Sequence, residues 1–286
     1  MRTLLLTLIA LIAFAANSVL ARLGLTVGEI GPWSFTLIRL VSGAVMLAIL
    51  VSPNKNMLQS AKHGSWAGAG ALVIYAAFFS YAYLSLPAGT GALILFALVQ
   101  VTMVGAGLFL GERLSALQWL GSLLAMGGLV YLLTPNLAPP DPIGALAMAV
   151  AGMGWGVYSL LGRKAAAATS TEKTAGNFLR AALVALILSL PLFFIWPEAR
   201  PAMKGIGFAV ASGAITSGLG YAIWYAALKS LPATRAAIAQ LSVPPLAALG
   251  GILFLSEAIS LRFVIATGII FTGIALATLL PQKHSS

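Results

Sequence analysis

The sequence predicts an all-α integral membrane protein with ten transmembrane helices, arranged as two inverted five-helix repeats around a central cavity. Three observations support this prediction. Of the residues, 60% are apolar and only 8% are charged, a composition outside the range of soluble globular domains. The chain divides into apolar runs long enough to span a bilayer, and several groups of residues recur along it at a nearly constant spacing.

Ten apolar runs can be marked, each close to the roughly 20 residues that a helix needs to cross the hydrocarbon core of a bilayer. They are Thr3–Ala21, Pro32–Val51, Ser65–Leu86, Ala88–Leu110, Ser115–Leu133, Pro142–Leu161, Thr174–Trp196, Gly205–Leu228, Pro232–Leu255 and Leu261–Leu280. Residues 1–134 form the predicted first repeat and residues 142–281 the second. Little chain remains for a soluble domain, so the function is expected within the helix bundle.

The two halves share sequence at offsets of 145 and 141 residues. The matching pairs are Ser85–Ala88 with Ser230–Ala233, Leu108–Glu112 with Leu253–Glu257, Arg22 with Arg163, and Arg39 with Arg180. Because each half contains an odd number of spans, the second half must start on the opposite side of the bilayer. This is the inverted repeat that secondary transporters use.

The net charge of +10 is explained by the loops, without a nucleic-acid partner. With the N-terminus inside, Lys and Arg residues gather in the cytoplasmic segments, as the positive-inside rule requires. The inner residues are Arg2, Lys55, Lys62, Arg113, Arg163, Lys164, Lys173, Lys229, Arg235 and Lys283, and the outer ones are Arg22, Arg200, Lys204 and Arg262. An even number of spans places both termini in the cytoplasm. The first span has counterparts in the sixth, so we expect it to belong to the folded unit and not to a cleaved signal peptide.

The paired segments Leu108–Ser115 and Leu253–Glu257, together with Arg39 and Arg180, resemble the drug/metabolite transporter superfamily of EamA type. The resemblance covers essentially the whole chain. It implies ten helices in two inverted halves, a substrate cavity between the halves, and export of small metabolites. In length and in its central aromatic residues the chain is most similar to YddG-type exporters of aromatic amino acids, which implies a bacterial cytoplasmic membrane.

Polar and aromatic side chains at mid-depth form the predicted substrate site, because polar groups are costly in a membrane and usually line a cavity. The predicted substrate-binding residues are Asn17, Phe14, Tyr75, Phe79, Tyr83, Gln100, Trp155, Tyr158, Ser159, Tyr221, Trp224 and Gln240. Amides and hydroxyls suit the two charges of a zwitterion, and aromatic walls suit an apolar side chain. Ordinary packing of rings between helices is the alternative interpretation.

The acidic residues all fall outside the predicted spans or at their ends. They are Glu29, Glu112, Asp141, Glu172, Glu198 and Glu257. An exporter of organic cations would be expected to hold a carboxylate in its cavity, and a proton-coupled carrier would need a protonatable group there. His63 and His284 lie in predicted cytoplasmic segments. The sequence therefore favours facilitated diffusion or exchange of amino acids over export of drugs or organic cations, which remains the main alternative.

Arg39 and Arg180 are the only basic residues well inside the predicted spans. Their aligned positions suggest one gating or structural role played twice, either holding backbone carbonyls or reaching opposite interfaces, with contact to a substrate carboxylate as the alternative. Pro244 and Pro245 lie near the middle of the ninth span, where Val99 and Gln100 stand in the fourth. Prolines remove main-chain donors, so the pair predicts a kink that could act as a hinge.

An intramembrane enzyme and a channel are the rival classes. Ser170–Lys173 matches an SxxK pattern, but it falls in a predicted polar loop and lacks the companion motifs of that chemistry. The sequence contains no metal-ligand motif and no phosphate-binding glycine loop. We therefore predict no catalysis, no cofactor and no metal. The expected partners are a small-molecule substrate and the lipid bilayer, and the expected state is a monomer.

Overall fold

The computed structural model describes residues 2–51, 62–109, 115–133, 140–163, 170–195, 198, 200–228, 239–240 and 242–279. This part of the chain contains helices and their connections but no strand. The helices are α1 (Arg2–Thr26), α2 (Pro32–Val51), α3 (Trp66–Ala82), α4 (Ala88–Phe109), α5 (Ala116–Leu133), α6 (Pro142–Arg163), α7 (Ser170–Ile195), α8 in three consecutive segments (Met203–Val210, Ala211–Leu219 and Gly220–Leu228), α9 (Val243–Leu255) and α10 (Leu261–Leu279). Glu112 and the connection Leu231-Pro232, which belong to the sequence repeat, lie outside the described residues.

Within the residues that the structure describes, these ten helices follow the ten apolar runs of the sequence. Five of them are long and apolar enough to cross a membrane by length and composition, namely Thr3–Thr26, Pro32–Val51, Pro142–Gly162, Thr171–Leu192 and Met203–Ala227. In the other five described helices the apolar stretches are shorter, namely Trp66–Ala82, Ala88–Met103, Trp119–Leu132, Val243–Leu255 and Leu261–Gly273.

The helices pack in pairs that exchange under the sequence repeat. α2 packs against α7, α4 against α9 and α5 against α10, and each of these pairs joins two corresponding helices. α3 packs against α6 as α1 packs against α8, and α4 packs against α6 as α1 packs against α9. Each half therefore completes the packing of the other, and the buried core runs through both.

The first helix is longer than the sequence suggests, which corrects the position of Arg22. The predicted span ends at Ala21, but α1 continues to Thr26, so Arg22 lies in a helix and not in a loop. The extension ends where the Gly28 N–H donates to the Leu23 carbonyl at 2.8 Å and Glu29 adopts a left-handed conformation with φ of 53°. Such a residue commonly ends a helix because it turns the backbone away from the helical path.

The middle segment of α8, Ala211–Leu219, is a π-helix. π-helical hydrogen bonds join residue i to residue i+5, so residues five apart come to lie near one another along the helix. The segment packs against α2 at Gly213, where a Cβ would overlap the carbonyl oxygen of Arg39. A glycine at this position lets the two backbones approach closely.

The two prolines of the ninth span lie in the first turn of α9, which begins at Val243. Ser242 forms a turn before it, in which its N–H donates to the Ala239 carbonyl at 3.1 Å. A missing N–H is least costly in a first helical turn. Ala239 and Gln240 before this turn are helical as well, so the helical path is interrupted directly before the two prolines, and the hinge that the sequence predicts there stays a prediction.

Candidate functional site

Nine aromatic side chains from both halves form one continuous cluster, which we call the aromatic cluster. Its members are Phe14 of α1, Tyr75 and Phe79 of α3, Tyr83 directly after α3, Trp155 and Tyr158 of α6, Phe178 of α7, and Tyr221 and Trp224 of α8. All nine are buried. The eight aromatic residues among the predicted substrate-binding residues are all in this cluster, and Phe178 was not predicted.

Trp155 is the centre of the aromatic cluster. Its ring contacts four others, with centroid separations of 4.8 Å to Tyr221, 5.1 Å to Tyr75, 5.6 Å to Tyr158 and 6.2 Å to Phe14. These are the separations at which aromatic pairs attract one another beyond simple burial. The rings are therefore packed on each other across the two halves.

The Arg39 guanidinium borders the aromatic cluster. Its Cζ atom lies 4.9 Å from the centroid of the Tyr75 ring and 4.7 Å from that of Phe79. Nε donates to the Ser217 hydroxyl at 3.1 Å, and Nη2 donates to the Tyr75 hydroxyl at 2.9 Å. The side chain is 1% exposed. The structure thus places a cation against the rings, held by two hydroxyls.

Asn17 connects the Tyr75 hydroxyl, to which Arg39 also donates, with the π-helical segment of α8. Its Nδ2 donates to the Tyr75 hydroxyl at 3.3 Å, while its Oδ1 accepts from Ser212 at 2.7 Å and from Thr216 at 3.0 Å. All of these side chains except Tyr75 are buried polar groups of α1 and α8. The amide therefore uses both its donor and its acceptor within the protein.

Arg180, the counterpart of Arg39 under the repeat, has different surroundings. It is half-buried, its Nη1 donates to the carbonyl of Gly176 one turn earlier in α7 at 3.3 Å, and its Cζ lies 5.5 Å from the Trp66 ring centroid. Trp66 is 62% exposed. Arg180 therefore lies toward a surface, as expected for a cation that reaches an interface.

One end of the bundle is closed by an ion pair between α1 and the α9–α10 connection. Arg22 Nε lies 3.2 Å from Glu257 Oε1, and Arg22 Nη1 donates to the carbonyls of Tyr83 and Leu84. The other Glu257 oxygen accepts from the Ala88 N–H at the start of α4, at 2.9 Å. An anion is favoured at a helix N-terminus, so Glu257 stabilises α4 and neutralises Arg22 together.

The other predicted residues are less central. Ser159 is half-buried, and its hydroxyl donates to the Trp155 carbonyl of its own helix at 2.8 Å. Gln100 in α4 and Gln240 just before α9 are both half-buried. Pro244 is buried and Pro245 is exposed. The structure thus gathers the aromatic residues and Asn17 at one place and leaves the two glutamines at its margin.

Sequence reasoning missed the hydroxyls of Ser212, Thr216 and Ser217, which bind Asn17 and Arg39. Small hydroxyl residues are common in apolar helices and attract little notice, but the i, i+4 spacing of Ser212 and Thr216, which places both on one helical face, is a signal that could have found them. Phe178 was missed because its counterpart in the first half is Leu37, so the repeat offered no aromatic pair.

Two surface cavities lie apart from the aromatic cluster. One, of about 280 Å³, lies near Ser85, Asp141 and Glu257 at the end closed by the ion pair. The other, of about 570 Å³, is an apolar groove between α2, α3 and α7, bordered by Trp33 and Glu198. Neither cavity is lined by a ring of the aromatic cluster. The aromatic cluster is the only one of these three places to which each half contributes both aromatic and polar side chains.

Comparison with known proteins gives a consistent result. Residues 1–134 and 142–279 each match the model of the EamA-like transporter family. An uncharacterized protein of Pseudomonas aeruginosa is 50% identical over 96% of this chain and 94% of its own length. An uncharacterized transporter of Bacillus subtilis, YoaV, is 22% identical over 87% of this chain and 88% of its own length. A solved crystal structure matches with a TM-score of 0.67 at 24% identity, covering 96% of this chain and 97% of that one, which shows a shared fold.

Proposed function

This chain belongs to the EamA-like transporter family, and we propose that it exports small metabolites, in particular apolar and aromatic amino acids, by alternating access. The family consists of multi-pass membrane transporters, and the ten apolar helices agree with that class. We place the protein in the bacterial cytoplasmic membrane because it is similar to proteins of Pseudomonas aeruginosa and Bacillus subtilis, and we place both termini in the cytoplasm on the basis of the Lys and Arg distribution.

The aromatic cluster is the observation that supports this substrate class. It lies between the halves, contains hydroxyls and an amide at its border, and suits a ligand with an apolar side chain and a polar head. None of the described carboxylates belongs to it. Asp141, Glu198 and Glu257 accept hydrogen bonds from helix N-termini, Glu172 lies in the first turn of α7, and Glu29 follows α1.

The packing of the helices supports an inverted repeat. Pairs of contacts exchange between the halves, as they do when two equivalent units face each other across an approximate two-fold axis. In such carriers the substrate site lies at the interface of the repeats, and one repeat rocks against the other. The aromatic cluster occupies that interface.

The state described here is closed at the Arg22 end. The ion pair with Glu257 ties α1, the α3–α4 connection and the α9–α10 connection together, and the packed rings lie deeper in the bundle. We assign this end to the outer face because Arg22 and Glu257 follow an odd number of spans from the inner terminus. Export then requires this ion pair to open and the rings to separate around the cargo.

Uptake into proteoliposomes tests the proposal. Radiolabelled phenylalanine and leucine should enter with saturation and counterflow, whereas methyl viologen and ethidium should enter at the rate of empty liposomes. Transport of the two cations without transport of either amino acid would overturn the substrate class. Rates that do not saturate and show no counterflow would indicate a channel.

The same vesicles test coupling. The aromatic cluster has no carboxylate or histidine among the described residues, and an arginine stays charged throughout the physiological range. A pH gradient without a substrate gradient should therefore give no accumulation above equilibrium. Uphill accumulation that a protonophore abolishes would show that the carrier is proton-coupled and that a carboxylate outside the cluster takes part.

A further inference from the structure

Arg39 is a buried cation whose hydrogen bonding is incomplete. Its Nη1 atom has no hydrogen-bond partner, and Thr267 Oγ1 is the only other fully buried side-chain atom in this situation within the described residues. A guanidinium carries five N–H donors, and an unsatisfied buried donor is costly. Arg39 donates from Nε to Ser217 and from Nη2 to Tyr75, and the Tyr221 side chain lies near it without accepting from Nη1.

The charge of Arg39 is also uncompensated. Its described neighbours are the hydroxyls of Ser217 and Tyr75, the side chain of Tyr221 and the faces of the Tyr75 and Phe79 rings, all of them neutral. No ion pair joins Arg39 to a carboxylate of the described residues, and Glu257 is paired with Arg22. A buried charge without a partner is strongly unfavourable, and charges inside membrane proteins are usually paired or functional. The surroundings of Arg39 therefore favour an added anion.

The shape of the guanidinium and the rings beside it together indicate which kind of anion would bind. Ser217 and Tyr75 hold Nε and Nη2, which fixes the plane of the group and leaves the Nη1 end for a ligand. Planar guanidinium N–H groups match the oxygens of a carboxylate or a phosphate, and the rings of Tyr75 and Phe79 against Arg39 favour the carboxylate of a compound with an apolar side chain. The aromatic cluster begins beside it, since Tyr75 contacts both Arg39 and Trp155.

We propose that Arg39 anchors the carboxylate of the cargo, so that the site selects carboxylate-bearing compounds whose apolar or aromatic side chain lies against Tyr75, Phe79 and Trp155. This inference rests on the proposed function and makes it more specific. The carboxylate supplies the missing partner of Nη1 and neutralises the charge, and the side chain replaces ring contacts within the cluster. An ammonium group is not required for binding.

Competition against counterflow of radiolabelled phenylalanine tests the inference without altering the protein. The competitors are unlabelled L-phenylalanine, 3-phenylpropionate, which keeps the carboxylate and lacks the ammonium, and L-phenylalaninamide and phenethylamine, which lack the carboxylate. The two carboxylates should compete at least about tenfold more strongly than the two compounds without one, because charge-assisted hydrogen bonds are the strong ones. Equal competition by all four compounds would overturn the inference.

Three variants locate the effect. In Arg39→Gln the ratio between carboxylate and amide should fall to about one, and in Arg39→Lys it should lie between those of the glutamine variant and the wild type. Arg180→Gln is the matched control and should keep the wild-type ratio, because Arg180 lies at a half-buried surface beside Trp66. A ratio that survives in Arg39→Gln would show that another group binds the carboxylate.

The two proposals fail in different ways. If wild-type protein carries phenylalanine but does not distinguish it from the amide, the transport function stands and the role of Arg39 is wrong. If wild-type protein carries neither phenylalanine nor leucine, the proposed function fails, and the inference about Arg39 fails with it. Because the first test uses only wild-type protein, a folding defect of a variant cannot decide the result.

Discussion

Arg39 and Arg180 occupy equivalent positions in two related halves, yet one is buried against rings and hydroxyls and the other lies half-buried beside an exposed tryptophan. Arg39 packs against α8, and Arg180 packs toward α3, the counterpart of α8. The difference between the two sites therefore lies in the helix that each arginine meets. Positions that correspond under the repeat can therefore have different chemical surroundings.

The two partner helices differ in their backbone. The middle of α8 is π-helical and presents Ser212, Thr216 and Ser217 to Asn17 and Arg39. α3 is a regular α-helix whose first turn is capped by the Ser65 hydroxyl, which accepts from the Gly68 N–H at 3.0 Å. π-helical segments are rare in proteins, and those that occur are often found at functional sites. This asymmetry is the reason to assign ligand binding to Arg39 and not to Arg180.

Exchanging the tryptophan at each site should give the largest contrast. Trp155→Ala removes a ring that is 6% exposed and contacts four others, so we expect a loss of about 3–5 kcal/mol in stability. Trp66→Ala removes an exposed ring over Arg180, worth about 0.5–1 kcal/mol. Thermal unfolding in detergent measures both.

Transport kinetics should also distinguish substitutions at Trp155 from substitutions at Trp66. Trp155→Phe, which keeps a ring and is expected to fold, should lower the transport efficiency for phenylalanine by about tenfold. Trp66→Phe should leave it near the wild-type value. Unchanged kinetics in Trp155→Phe and Trp155→Ala, with both variants folded, would mean that the cluster is packing and not a binding site.

Substituting alanine for a glycine in α8 and for one in α3 compares how closely the two helices approach their neighbours. In Gly213→Ala the new Cβ would overlap the Arg39 carbonyl oxygen, so separation of α2 from α8 should cost about 1–3 kcal/mol. In α3, Gly70→Ala meets no atom within 4 Å and should be neutral or slightly stabilising. Equal melting temperatures for the two variants would contradict the close approach of α8 to α2.

The smallest expected effect concerns the connection that carries Glu257. Ser256 ends α9 in a left-handed conformation with φ of 54°, and the aligned residue in the first half is Gly111. Ser256→Gly relieves this conformation and should stabilise the protein by up to about 1 kcal/mol. Ser256→Val, which is β-branched, should destabilise it. A lower melting temperature for the glycine variant would show that the conformation is not strained.

Much of the fold was predictable because it depends on composition and spacing. A bilayer requires apolar runs of one length, so the sequence marks its helices directly. The repeat then grouped residues that are far apart along the chain, which is how Phe14 and Trp155 were paired before any contact was known. All eight predicted aromatic residues are in the aromatic cluster, while their role in substrate binding remains a prediction.

The misses have physical causes. The sequence predicts that Arg22 lies in a loop. Its ion pair with Glu257 and its hydrogen bonds to the carbonyls of Tyr83 and Leu84 allow α1 to continue past it. In the ninth span the interruption lies at Ser242, directly before Pro244 and Pro245, which occupy the first turn of α9 because prolines fit a first helical turn. Both outcomes depend on partners from other helices or on the start of a helix, which composition does not specify.

The sequence by itself determined that this protein is helical, which segments form the helices, and which positions of the two halves correspond. Only the tertiary structure decided that Arg39 is a buried cation with an open N–H end and that Arg180 is not. The reason is that hydropathy and periodicity are properties of one segment at a time. The environment of a side chain is set by the helix packed against it, and here by a π-helical turn that brings Ser217 to Arg39.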